Sequence, residues 1–342
     1  MNTIKPNCLK KRKIAENFFT LAFCLLPFAS CLLPCHNDSF QRQPTYLKIN
    51  RQQLHSYGIE CPNDFFPVCN GDIRMILSLK DNLNWLQVQR YCELLHVLVG
   101  RTLKVRYRGS FLGVYWSLLN PLIMTGLYTA IFGATFASYY GNSIINYMLA
   151  ALTGLLVINF FSACTSQALT SVVGNGALLN KIRLPVSVFP VSMISSNVFQ
   201  FSVGAFPLLA IMTLLNSKSL INVIALVFPF LALILVSTGV GFLVSALYVF
   251  FRDLPYFYEL VVFVIWISSP IFYPAAIVPK PVKQFLGLNP LSPIIESLRQ
   301  ITLSGSPPDL GLIWGALLSG IIILALGWTC FHLWRHQFMD LL

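Results

Sequence analysis

From Gly109 to Asn180 the chain carries no Asp, Glu, Lys or Arg. A run of that length cannot be the surface of a water-soluble domain, where roughly 25% of residues are charged. The whole chain has only 10% charged residues against 56% hydrophobic, with a mean hydropathy of +0.69. Its surface therefore largely faces lipid, and helices satisfy their own backbone there. The pattern gives an all-α integral membrane protein of six transmembrane helices. The expected spans are Leu112 to about Ala137, about Tyr147 to Val172, about Val186 to Leu215, Leu220 to about Phe250, Tyr256 to about Ser268, and Leu310 to Trp334.

The uncharged run is preceded by a basic one. Arg101, Lys104, Arg106 and Arg108 interleave with Leu94, Leu95, Leu98, Leu103 and Val105. That alternation predicts an amphipathic interface helix from Met75 to Arg108, lying on the membrane surface with its cations toward anionic headgroups. Trp85 and Tyr91 suit the headgroup level. A basic anchor without further role explains the same charges.

Net charge is +11, and its distribution decides against nucleic acid. Of 23 Lys and Arg, 15 precede position 109 and eight are scattered between spans, which is membrane asymmetry rather than a recognition face. Placing both termini in the cytoplasm leaves Lys218, Lys280, Lys283 and Arg299 outside, so 19 of 23 cations lie inside. Six of nine cysteines fall before residue 75 with no convincing zinc spacing, and are expected to be reduced, incidental thiols.

Residues 1–74 differ from the rest. Lys10 to Lys13 precede an apolar run, Phe18 to Pro34, broken by Pro27, and a polar stretch follows from His36 to Asp72. A cleaved signal, an extra span, and a poorly ordered appendage (or misassigned start) are the three readings. The compositional break near Met75 favours the appendage, with the transmembrane domain at 75–342.

The later half of the second span is polar, with Asn159, Ser162, Thr165, Ser166 and Gln167; such groups usually face neighbouring helices. Asn197 and Gln200 lie in the third. Gly239 and Gly241 mark a close helix approach in the fourth. Between the second and third spans, Gly174 and Gly176 break the helix, and Lys181 and Arg183 mark the cytoplasmic side. Ala177 to Ile182 has room for about one and a half turns. Arg252 and Asp253 are the only charges in the second cytoplasmic loop. Glu259 lies about two turns from Arg252, which reads as an interfacial, solvated carboxylate. Eight of twenty prolines fall between Ser268 and Pro308, among apolar pieces too short to span. Such backbone must lie at the outer surface or be packed into protein as short re-entrant helices.

No phosphate-binding G-x-x-x-x-G-K-[ST], nucleophile elbow or HExxH occurs, and only five acids follow Glu93. That scarcity opposes an ion-coupled carrier and a membrane enzyme of glycan assembly, both of which need acids at depth.

Three separated motifs, RTLKVRYRGSFLGVYWSLLNP, NKIRLP, and SSPIFYP with NPLSP, resemble the membrane subunit of bacterial type-2 ABC exporters. Among these the chain looks most like the permeases for O-antigen, teichoic acid and related polysaccharides. The resemblance implies a homodimer with a channel between protomers. Each protomer would dock on an ABC ATPase subunit that holds ATP and magnesium, with no cofactor on this chain. It implies that the NKIRLP loop is a coupling helix pressed into the ATPase through Asn180, Lys181 and Arg183, with Arg252 and Asp253 as a second contact. It implies that SSPIFYP and the short helix after it form an outer gate. The expected path for a lipid-linked polysaccharide runs past Tyr115 and Trp116 at the cytoplasmic mouth, then Trp266, Phe272 and Tyr273 at the outer end. A type-2 permease for drugs or small lipids is the alternative, and an integral membrane enzyme the second.

Overall fold

A computed structural model describes residues 72–111, 113–179, 181, 184–274, 277–279, 287, 289–303 and 309–338. The appendage expected over residues 1–74 thus falls almost wholly outside the described residues, as do Asn180, Arg183, Lys280 and Lys283. The chain divides into two units, Met1–Tyr91 and Cys92–Leu342. Of the first, only a helical stretch from Asp72 is described. The packed helices belong to the second.

All regular structure among the described residues is helical. The elements are α1 Asp72–Tyr107, α2 Trp116–Phe136, α3 Ile144–Gly174, α4 Gly176–Leu179, α5 Val188–Val203, α6 Ala205–Ser217, α7 Leu220–Ala225, α8 Val227–Phe250, α9 Leu254–Ser268, α10 Leu291–Leu303 and α11 Leu310–Trp334. Short 3-10 turns precede α2 (Gly113–Tyr115), follow it (Ala137–Tyr140) and follow α11 (Arg335–Gln337).

Local chemistry explains the boundaries. Gly109 and Gly113 take positive φ (76° and 51°), in the irregular stretch that separates α1 from α2. The Ser143 hydroxyl accepts from the Asn146 N–H and Asp309 accepts from the Gly311 N–H at 2.9 Å, capping α3 and α11. Two breaks come from prolines. Pro207 has no N–H to offer the Val203 carbonyl, and α5 ends at Val203. Pro229 likewise has none for Ala225, where α7 ends.

Among the described residues five segments are long and apolar enough to cross a membrane: Gly113–Tyr140, Ile144–Gly174, Val188–Ser217, Leu220–Phe250 and Leu310–Gln337. The stretch expected as the fifth of six spans, α9, has only 15 residues. That is about 22 Å of helix against a hydrocarbon core of about 30 Å.

The hub is α3, which packs on α2, α5, α8, α9 and α10. Of its most apolar stretch 72% is buried within the chain, against 17% for Gly113–Tyr140 and 22% for Leu310–Gln337. Gly241 packs onto α3 and α5, where an added Cβ would meet Ala168 Cβ at 3.1 Å and Ile194 Cδ1 at 3.2 Å. A Cβ at Gly239 would stand 2.5 Å from the Ile323 carbonyl oxygen, so α8 and α11 touch backbone to backbone.

Candidate functional site

Two polar constructions stand out, one at each end of α3. At the first, α1 turns Leu95 and Val99 into the core, while Arg101, Lys104 and Arg108 stay exposed. Arg106 behaves differently from its basic neighbours. Its Nη1 donates to Asn197 Oδ1 at 3.1 Å and to Gln200 Oε1 at 2.6 Å, and its Nη2 donates to Gln167 Oε1. Asn197 Nδ2 also donates to Gln167 Oε1 at 3.0 Å. One guanidinium therefore ties α1 to α3 and α5 together, and those two helices flank the NKIRLP loop. The headgroup role expected of Arg106 is replaced by this cross-helix cluster; its three exposed neighbours remain available for headgroups.

The loop itself is short. Asn175 ends α3, its Nδ2 donating to the Ser171 carbonyl at 2.8 Å, and its own carbonyl accepts from Leu178 and Leu179. A single turn, α4, follows, with Leu179 buried and Lys181 exposed. Arg252 and Asp253 are exposed in the turn between α8 and α9. Glu259 is exposed on α9.

At the other end of α3, the chain leaves α9 as the irregular strap Ser269–Pro274. Asn289 Nδ2 donates to the hydroxyls of Ser268 and Ser269 at 3.2 and 2.9 Å, while its Oδ1 accepts from the Leu291 N–H at 3.0 Å. The SSPIFYP and NPLSP motifs thus meet in space. Ile271 packs on Gly154 of α3, where an added Cβ would lie 3.0 Å from Ile271 Cγ2. Tyr147 donates its phenol to the Phe272 carbonyl at 3.0 Å.

The outer aromatic residues expected on a path are brought together. Phe272 stacks on Tyr128 with centroids 3.6 Å apart and meets Trp266 at 5.3 Å. Tyr273 donates to the Ile267 carbonyl at 3.1 Å. Tyr115 and Trp116 are exposed at the far end of α2, about 18 Å from Tyr128 along the axis. Among the described residues no ring pair links them to the outer cluster.

Three residues of this end were not singled out as site residues in the sequence. Tyr128 carried no signal beyond aromaticity, and Asn289 only its place in the NPLSP motif. Arg299 was expected as an outer topological cation; it is instead buried at 5% exposure on α10, donating to the strap.

Residues 93–303 match the family described as ABC-2 type transporter, which is more than half of the chain. The chain belongs to the ABC-2 type transporter family. The O-antigen export system permease protein RfbA of Klebsiella pneumoniae is 28% identical over 272 residues, covering 78% of this chain and 100% of the relative. The protein of the same name from Myxococcus xanthus is 26% identical over 258 residues, covering 74% and 97%. The polysialic acid transport protein KpsM of Escherichia coli is 21% identical over 210 residues, covering 60% and 79%. Both polar constructions of this ABC-2 membrane subunit have their principal residues within the matched segment.

Proposed function

We propose that this chain is the permease subunit of an ATP-driven exporter that moves a lipid-linked polysaccharide of the O-antigen, teichoic acid or capsule type across the bacterial inner membrane. The observation that carries this reading is its match to O-antigen permeases over essentially their whole length. An ABC ATPase subunit, binding ATP and magnesium itself, supplies the energy. It docks through α4 and the residues after it, Asn180, Lys181 and Arg183, with Arg252 and Asp253 as a second contact.

In this reading the transmembrane domain is 75–342 and both termini are cytoplasmic. α1 is an interface helix, α9 and its strap complete a sixth crossing, and α10 is a short re-entrant gate helix. Two copies line the conduit. Supporting this, the Gly113–Tyr140 segment is little covered within one chain and exposes Leu119, Leu122, Ile123, Leu127 and Ile131, an apolar face open to a second copy. The glycan passes Tyr115 and Trp116, then Trp266, Phe272 and Tyr273, whose ring faces suit the apolar faces of pyranoses.

The test is a strain lacking this chain. It should lose surface glycan and accumulate lipid-linked polymer inside, and expression of the permease with its ATPase should restore export. Normal surface glycan with altered drug resistance would replace the reading by a drug or small-lipid permease.

A further inference from the structure

Arg299 is the one charged side chain buried among the described residues. Its Nη2 donates to the Pro270 carbonyl at 2.7 Å and lies 3.4 Å from the carbonyl oxygens of Ile271 and Ala150. Nη1 stands 3.8 Å from the Glu296 carboxylate, which is half exposed, and the guanidinium lies 5.8 Å from the centre of the Tyr140 ring. Nε has no partner among the described residues.

A cation serving only as a topological marker would extend its long stem and keep its head in water. Burial of a guanidinium is costly, and a neutral Leu or Met would fill the same amphipathic face of α10 beside Ile295, Leu298 and Thr302. What a neutral residue lacks is donors. Pro270 and Pro274 interrupt the helical ladder, and the strap's freed carbonyls need partners wherever lipid excludes water. Arg299 supplies them from α10, and Tyr147 supplies a second tie from α3 to Phe272. Between α9 and the strap, the side-chain ties from Ser268 onward include Tyr273 to the Ile267 carbonyl. The middle of the strap is therefore held from α10 and α3, while Asn289 and α9 hold its two ends. The hydrogen-bond acceptors are neutral carbonyls, whose bonds to a cation are weaker than those of a carboxylate, and the Glu296 carboxylate stands farther off at 3.8 Å. Such a contact is strong enough to hold and weak enough to release.

We propose that Arg299 is the positioning residue of the outer closure: its guanidinium pins the Ser269–Pro274 strap onto α3, and its release from the Pro270 carbonyl accompanies opening. The proposal rests on reading that strap as the gate. Arg299 acts through the strap and does not itself touch the glycan.

The experiment reconstitutes the complete permease with its ATPase into vesicles loaded with carboxyfluorescein, without ATP. Arg299→Met should leak dye several-fold faster than wild type, with Arg299→Lys intermediate, while the protein stays folded at the assay temperature and ATPase co-purification stays near wild type. Dye retention equal to wild type in an Arg299→Met protein that accumulates normally overturns the proposal. Where that variant fails to accumulate, Arg299→Gln, neutral and too short to reach all three carbonyls, decides by the same criterion. Export assays on Phe272→Ala and Tyr273→Ala separate the two readings. Leak through Arg299→Met with full export in the aromatic variants would leave the latch standing and remove the exit path. Tight vesicles with export lost in the aromatic variants would do the reverse.

Discussion

Gly327 of α11 faces Gly239 of α8 so closely that a Cβ added at Gly327 would stand 1.9 Å from the Gly239 carbonyl oxygen. The obstruction is backbone, so no side chain can swing aside. In lipid, where helices gain little from hydrophobic burial against one another, this contact is a main source of the pairing of α8 with α11.

Gly327→Ala should therefore force the two helices apart and lower stability by about 1–3 kcal/mol. Gly315→Ala on the same helix meets nothing within 4 Å and should be neutral or slightly stabilising. Thermal melting of the detergent-solubilised protein reads both. Equal melting temperatures would mean that the helices are not held at this contact.

Removing the Arg106 guanidinium should cost more than removing any of its basic neighbours. A double-mutant cycle of Arg106→Ala with Gln200→Ala should return a coupling of about 1–3 kcal/mol, as for hydrogen bonds to a charged group. Arg101→Ala, at an exposed position, should leave stability unchanged. A coupling near zero would mean that Arg106 does not hold α1 to α5.

Replacing Lys181 and Arg183 by Glu should leave the permease inserted and folded but abolish export. The readouts are ATPase co-purification and surface glycan. If both stay normal, the loop marks topology and nothing else.

Phe272→Ala and Tyr273→Ala should reduce surface glycan several-fold at unchanged protein level; for Phe272 the ring pair with Tyr128 contributes about 0.5–1.5 kcal/mol beyond burial. Leu at both positions separates bulk from ring stacking: full export with Leu would show that apolar packing alone is required. Tyr273→Phe, which loses only the bond to the Ile267 carbonyl, should retain most export.

Much of this was legible in the sequence because membrane insertion imposes long, countable patterns. The segment Leu310–Trp334 was bounded to the residue, since Asp309 caps it and charges resume at Arg335. The partners of polar side chains were not legible. Thr165 looked like a group reaching for another helix, yet its hydroxyl bonds the Phe161 carbonyl of its own helix at 2.8 Å, as Ser and Thr readily do. The longer amide of Gln167 does cross the gap, to Asn197 and Arg106. Arg299 misled for a related reason: an isolated cation between spans reads as solvated by charge counting, and only the packing of α10 against α3, α6 and α11 takes it out of water. The strap and NPLSP were matched as motifs, but nothing in their spacing says that Asn289 binds both serines at the end of α9.

The proline breaks at Val203 and Ala225 give two of the long segments an unequal stiffness. A rod of continuous hydrogen bonds must strain several of them to bend, whereas at these points the ladder already lacks a rung. Thermal bending therefore concentrates there. The length from Val188 to Val203 is clamped by the Asn197 and Gln200 contacts to Arg106, so bending at Val203 changes the angle at which Ala205–Ser217 leaves that clamped length toward α10.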